Sequence, residues 1–501
     1  MNLYFTVLKA AVALLCIAFL LGCQPSDQSD STANSNPNIL WIIAEDMSPD
    51  LGCYGNDLVT TPNIDGLAAK GMRFNRVFTT GPACSPSRTS LATGVYQTTL
   101  GAYHMRYSDE MMPELPAHVQ TLPELMREQG YFTGNIYDIC GTGKGKDDWL
   151  FKTSKKTWDT QSWDEMVGQE PFYGVINLSE SHRPFARNSK AKVDEDAVII
   201  PPYYPNHEVS RNDWAGYLED VNRADELLGS ILKQLERDGK SENTIVVFLS
   251  DHGRPMMRGK NWLYDSGTQI PLVIYIPDAV AKPAGFKVGG QSSELIVSID
   301  LVAETLLAGG ATIPEWMQGQ SFLQANSSPR EEVYTAVDRI GNINTKSRAV
   351  RTERFKYIRN FNRPESINEC STSYRRAMHP IYHLLAVMGE KNLLTPAQAQ
   401  LLQPLVDEEL YDLESDPFET VNLIGNDSYA EEHAALKAKL AELIESTGDR
   451  GFEPESPELA EYFSNYGKTT SKDLAKYGAT TTDKMQADYQ KTRSHVESFF
   501  E

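Results

Sequence analysis

Asn38-Ile39-Leu40-Trp41-Ile42-Ile43-Ala44-Glu45-Asp46 decides the fold: past its first residue the stretch is apolar without alternation, and it ends in two acids. Such a run is a strand buried on both faces, which belongs in a sheet covered by helices on either side. Working outward, Phe172 to Leu178 and Thr244 to Leu249 are further buried-strand runs, and Pro271 to Ile276 gives another. Helical patterns separate them. Thr61 to Gly71 and Leu122 to Gln129 each close on a glycine, and Ser298 to Leu307 forms a third. The clearest amphipathic helix carries Tyr217, Val221, Ala224, Leu228, Ile231 and Leu235 on one stripe, with its charges facing away. This alternation predicts an α/β fold, a doubly wound sheet sandwiched by helices.

Around Asn326 to Arg330 the composition turns to Asn, Ser, Pro and Arg, which marks a boundary. Beyond it, Glu332 to Val337 and Ala349 to Arg359 read as exposed strands, followed by helical stretches through Leu402 and from Glu431 to Ser446. Strands then helices suggest a smaller C-terminal α+β domain. The expected division is 37–328 and 329–450, with 451–501 a packed extension or a partly ordered tail. A chain of 501 residues accommodates two or three domains. Its 41% hydrophobic and 23% charged content exclude a mainly disordered chain. A net charge of -21 argues against a nucleic-acid partner, which would need a basic face.

Residues 1–22 join one early cation, Lys9, to an apolar run ending Leu20-Leu21-Gly22-Cys23. That is a secretory signal, too short to be a membrane-spanning anchor. The ending resembles the bacterial lipobox, which implies cleavage before Cys23, lipidation of that residue and an anchor in the cell membrane. Residues 23–36 are then a polar tether. Among the remaining cysteines, Cys53, Cys84, Cys140 and Cys370 are spaced too irregularly for a disulfide framework or a zinc site.

Glu45 and Asp46 follow the first strand, and Asp251 and His252 follow the Thr244 run. In open α/β sheets ligands gather at the carboxyl ends of strands, so the two pairs can converge. Carboxylates with one imidazole suit a hard divalent cation such as Ca²⁺ or Mg²⁺. Strand-end acids also cap helices and form turns, so the pairs alone leave both readings open. Cys84-Ser85-Pro86-Ser87-Arg88-Thr89-Ser90-Leu91-Ala92-Thr93-Gly94 adds a second feature. With Ser85 as N-cap and Pro86 as first helical residue, Cys84 lies at the positive end of a helix with Arg88 one turn in, an address for an oxyanion.

This segment resembles the signature of the type I sulfatases of the alkaline phosphatase superfamily, in which the cysteine of C-x-P-S-R becomes formylglycine. Leu51-Gly52-Cys53-Tyr54-Gly55, Thr61-Pro62-Asn63-Ile64-Asp65, Ser250-Asp251-His252-Gly253 and Lys260-Asn261-Trp262 resemble the same family, as does Leu410-Tyr411-Asp412-Leu413 near the C-terminus. The resemblance implies an alkaline-phosphatase-like core hydrolysing sulfate esters. A sulfatase-maturing enzyme would convert Cys84, and one hydroxyl of the hydrated aldehyde would attack sulfur. The other would expel sulfate and restore the aldehyde.

The same resemblance implies that Glu45, Asp46, Asp251 and His252 hold calcium beside residue 84. Glu45 and His252 depart from the more usual Asp and Asn, which leaves Mg²⁺ or a transition metal open. Arg88 matches the arginine that steadies the hydrate, and Lys260 the lysine that binds a sulfate oxygen. His182, in Ser181-His182-Arg183-Pro184-Phe185, matches a histidine that serves the leaving oxygen. Many relatives carry Gly-Lys-Trp-His where this chain has Gly143-Lys144-Gly145-Lys146-Asp147-Asp148-Trp149. Lys146 takes the lysine role, with Lys144 as competitor, and the motif histidine has no counterpart. His104 and Arg106 are candidate substrate contacts or packing residues.

A secreted lipoprotein of this family points to a sulfated polysaccharide or oligosaccharide, first an algal one such as ulvan or carrageenan, then a heparan-type glycosaminoglycan. Arg254, Arg258, Arg351, Arg359 and Arg363 are candidate contacts to its anionic groups. A phosphoester or phosphonate hydrolase is the alternative within catalysis. A glycan-binding lipoprotein is the non-enzymatic one, and it has no need of an intact Cys-Ser-Pro-Ser-Arg.

Overall fold

Seven strands make the larger sheet: β1 (Asn38–Ala44), β2 (Met72–Phe78), β3 (Phe132–Ile136), β4 (Phe172–Leu178), β5 (Thr244–Ser250), β6 (Gln269–Tyr275) and β7 (Gly290–Val297). The computed structural model describes residues 36–153, 157–341, 343–363, 366–370, 373–469 and 482–501. The signal segment, Cys16, Cys23 and nearly all of the 23–36 tether lie outside the described residues. Across the sheet the order is β3-β4-β1-β5-β6-β2-β7. β6 is antiparallel to both its neighbours, and every other pairing is parallel.

β1, β4 and β5 are buried along their whole length, as their unbroken apolar runs require. Alternate residues of β1 feed opposite layers. Leu40 and Ile42 join Tyr217, Val221 and Leu228 of the Glu208–Arg237 helix. Ile39, Trp41 and Ile43 join Leu125, Leu301 and Leu306 from the Leu122–Glu128 and Asp300–Ala308 helices on the other face. The expected doubly wound sandwich is therefore present, as a mixed sheet.

The second sheet is antiparallel, in the order β11-β10-β9-β8. It comprises β8 (Val333–Ile340), β9 (Ile343–Arg351), β10 (Phe355–Asn360) and β11 (Glu408–Asp412). Its strands were expected to be exposed; instead β8 is buried at seven of its eight positions. Val333, Tyr334, Val350 and Tyr357 pack against Phe78, Val297 and Ile299 of the larger sheet's side. Pro37–Glu501 forms one compact unit, so the expected boundary near residue 329 separates two sheets that share a core.

At that junction lies a buried charge network. Lys356 reaches Asp265, Glu419 (2.7 Å) and the carbonyl of Leu263 (3.1 Å). Arg351 pairs with Asp265 at 3.3 Å. Arg258 donates to the carbonyls of Phe418 and Glu419, and its guanidinium stacks 3.4 Å above Tyr264. The two described helices of the C-terminal extension are packed as well. Phe463 of the Pro457–Thr469 helix is buried against His104 and Tyr107. Val496 of the Thr482–Glu497 helix joins Val209, Leu384 and Val387.

Candidate active site

β4, β1 and β5 are neighbours and parallel, so their carboxyl ends open on one place. Glu45 and Asp46 leave β1 there, Asp251 and His252 leave β5, and His182 follows β4. Asp46 sits in the left-handed region, at φ 54°, where its amide donates to Asp251 Oδ1 at 3.0 Å. The amide of His252 donates to the same oxygen at 3.0 Å. Gly253 allows the close turn that follows, since a Cβ there would stand 2.3 Å from the carbonyl oxygen of Ser266.

Cys84 enters from the helix after β2. That helix spans Cys84–Thr93, with Ala83 rather than Ser85 as its N-cap, so the cysteine is the first helical residue and lies closer to the positive end than expected. All ten residues are buried. Ser87 holds the helix to the cluster by donating to the Asp251 carbonyl at 2.5 Å. Gly94, at φ 72°, ends it with its amide bonded to Ser90.

The thiol of Cys84 lies 3.3 Å from His252 Nε2, 3.1 Å from Lys260 Nζ and 3.7 Å from Asp46 Oδ1. Lys260 also donates to both oxygens of Asp46, at 2.9 and 2.8 Å. Arg88 donates to Asp251 at 3.1 Å and to Asn177 at 2.6 Å, and Asn177 donates on to Glu45 at 2.6 Å. Lys146, rather than the exposed Lys144, closes the ring with a 2.7 Å bond to Glu45. Arg106 borders it, donating to Ser85 Oγ (3.1 Å) and Asp148 (2.7 Å).

These contacts set the charge states. Burial opposes ionisation of Asp251, yet His252 and Arg88 beside it hold its carboxyl down at about 2. Burial is likewise outweighed at Glu45, chiefly by Lys146, which keeps it at about 2. Burial would lift the Cys84 thiol, but Lys146 and Lys260 bring it below the usual thiol range. His252 is pushed up to about 10 because Asp251 and Asp46 overcome its burial. Burial carries His182 the other way, below the ordinary imidazole value. Its Nδ1 faces the Arg183 carbonyl at 2.6 Å, so Nε2, 3.9 Å from Asp46, is the nitrogen turned to the site.

The donor set could hold a metal ion. Ligand atoms of Asp46, Cys84, Asp251 and His252 all lie within 4.8 Å of one another, as do those of Glu45, Asp46 and His182. Glu45 is therefore adjacent to the Cys84 group rather than within it, and its oxygens are engaged by Lys146 and Asn177.

Among the expected substrate contacts, His104, Arg258 and Arg351 are buried in packing, and the others have acidic partners. His104 is 1% exposed, enclosed by Tyr103, Tyr107 and Phe463, with Nε2 3.3 Å from Glu455. Arg258 is the buried tie to residues 418 and 419, and Arg351 is spent on Asp265. Arg359 pairs with Glu408 across the β10–β11 ladder, Arg363 with Asp407, and Arg254 with Asp50 over the ring of Trp214. Sequence reasoning missed Asn177, whose only sign was an amide in an otherwise apolar strand. It also missed Arg375, which donates to the Lys260 carbonyl at 3.0 Å, because that residue arrives from a distant helix.

The family model for sulfatases matches residues 37–311. The chain belongs to the sulfatase family. A second model, the C-terminal region of N-sulphoglucosamine sulphohydrolase, matches residues 253–373 of this sulfatase. An ulvan-active sulfatase of Formosa agariphila is 30% identical, over 89% of this chain and 82% of the relative. Human N-sulphoglucosamine sulphohydrolase is 28% identical over 54% of this chain and 60% of its own. Among solved structures, Ps i-CgsB in complex with k-i-k-neocarrahexaose superposes with a TM-score of 0.57 at 18% identity, covering 88% of this chain and 99% of that one. That likeness is one of fold. The protein is a sulfuric ester hydrolase.

Proposed function

We propose that this sulfatase removes sulfate from a sulfated polysaccharide or its oligosaccharides, with ulvan the leading candidate, and that it acts with a Cys84-derived formylglycine and a bound Ca²⁺. The observation that carries the reading is the thiol of Cys84, set at a helix N-terminus between Lys260 and His252 and grouped with the candidate metal ligands Asp46, Asp251 and His252. The ulvan-active relative, which this chain matches over most of its length, supports the substrate.

A formylglycine hydrate at residue 84 would supply the nucleophilic hydroxyl and the second hydroxyl that releases sulfate, and a cation held beside it would stabilise the negative charge on the sulfate oxygens. Asp46, Asp251 and His252 would hold that cation, with Glu45 beside them. The net reaction consumes one water and yields an alcohol, sulfate and a proton. Arg88, one turn along the same helix as residue 84, fixes Asp251. Lys260 places an ammonium against residue 84, where a sulfate oxygen would lie, and Lys146 adds a second cation. His182 presents Nε2 to the leaving oxygen. Cys84 is 1% exposed, so a maturing enzyme has to act before the chain folds. Cys23 is the proposed lipid anchor, which would hold the enzyme at a membrane.

The test is a panel of ulvan, carrageenan and heparan oligosaccharides, with free sulfate measured in each. The reading predicts release from ulvan fragments with calcium present. Release from none of them, with a sulfated aryl ester still cleaved, would remove the polysaccharide assignment.

A further inference from the structure

His379 lies at the junction of two helices, Ser373–Met378 and Pro380–Glu390, far along the chain from every motif described above. Two hydrogen bonds bring that junction to the active site. Arg183, next to His182, donates from Nη1 to the carbonyl of Met378 at 3.0 Å. Arg375, one turn before His379, donates from Nη2 to the carbonyl of Lys260 at 3.0 Å. The residue is thus strapped between the segment bearing His182 and the segment bearing Lys260. Its amide bonds to the Arg375 carbonyl at 2.9 Å, and its ring meets Tyr382 edge-on at 5.7 Å, so its placement is fixed.

The ring is 3% exposed and its Nδ1 has no hydrogen-bond partner. A buried polar atom left unpaired is costly, and one beside a site calls for an explanation such as a bound water or ligand. Burial first, then Arg183, Arg375 and Lys260, hold its pKa well below the ordinary imidazole range, so the ring is neutral. A neutral imidazole ringed by cations offers a lone pair, which suits a hydroxyl donor.

We propose that His379 is a specificity-determining residue of this sulfatase, accepting a hydrogen bond from a sugar hydroxyl next to the sulfated carbon. The inference rests on the saccharide reading above. An aryl sulfate has no such hydroxyl, so it would be cleaved without using the contact.

The test compares wild type, His379→Ala and His379→Gln on the ulvan, carrageenan or heparan oligosaccharide that wild type desulfates fastest, and on 4-nitrophenyl sulfate. His379→Ala should lower kcat/KM on the oligosaccharide about 10- to 100-fold and on the aryl ester less than about threefold. His379→Gln, which keeps an acceptor, should recover much of the oligosaccharide rate. Equal losses on both substrates, or no loss on either, would overturn the role of His379 and leave the saccharide reading standing. Absence of saccharide turnover by wild type would overturn both.

Discussion

Around residue 84, Arg88, Lys146 and Lys260 face Glu45, Asp46 and Asp251; around Lys356, a similar mixture of Arg258, Arg351, Asp265 and Glu419 is buried just as firmly. One acid in each is shifted alike. Asp265 is held at about 2, as Asp251 is, because Arg351 and Lys356 outweigh its burial. What differs is convergence. At the first cluster, oxygens from two strands and one helix-borne thiol point at a common centre. Each acid of both clusters is met directly by a cation, but among the described residues the grouped metal-competent atoms lie only at the first. A shifted pKa therefore marks both clusters, and only the geometry marks the site.

The largest effect is expected from Cys84→Ala, which should reduce sulfate release by more than about 10⁴-fold while leaving the thermal transition nearly unchanged. Lys260→Ala should follow, with a loss of about 10²- to 10³-fold in kcat and a folded protein. Lys356→Met reverses the pattern. Removing one partner of a buried pair should cost about 3–5 kcal/mol in urea unfolding, with much less change in turnover per folded molecule. If Lys356→Met abolished turnover without lowering stability, the distinction between the two clusters would fail.

Adding Ca²⁺ to metal-stripped protein should raise the melting temperature, by about 2.7 kcal/mol of stabilisation at a hundredfold excess over Kd. Asp251→Asn should erase that increment, whereas Asp265→Asn should lower stability and leave the increment in place. The smallest effect concerns acid. Glu45, Asp251 and Asp265 have folded values near 2, below the ordinary 4.5 and 3.8. Their contribution is fully present above the ordinary values and is lost as pH falls toward 2. Urea titrations of the metal-free protein at pH 6, 4 and 3 should show stability falling in that order, and a flat profile would contradict the assigned charge states.

Much of this was legible in the sequence. β1, β4 and β5 announce themselves because burial on both faces leaves no polar alternation, and the metal-competent acids stand at their ends. β2, β3, β7 and β11 escaped notice for physical reasons. β7 is an edge strand whose sequence, Gly290-Gln291-Ser292-Ser293-Glu294, faces water, and β3 carries Gly134 and Asn135 in only five residues. The burial of β8 depends on a partner sheet that no local pattern encodes. Within the site, Cys84, Arg88, Lys260 and His182 were readable from motifs. Asn177, Arg375 and His379 were not, since each is defined by a neighbour more than 85 positions away or by an unpaired atom.

The most direct measurement of the central claim is the mass of the peptide containing residue 84, taken from active protein made alongside a sulfatase-maturing enzyme. The account predicts an aldehyde in place of the thiol, in a fraction that scales with specific activity. Fully active protein whose residue 84 is a wholly unmodified cysteine would contradict it.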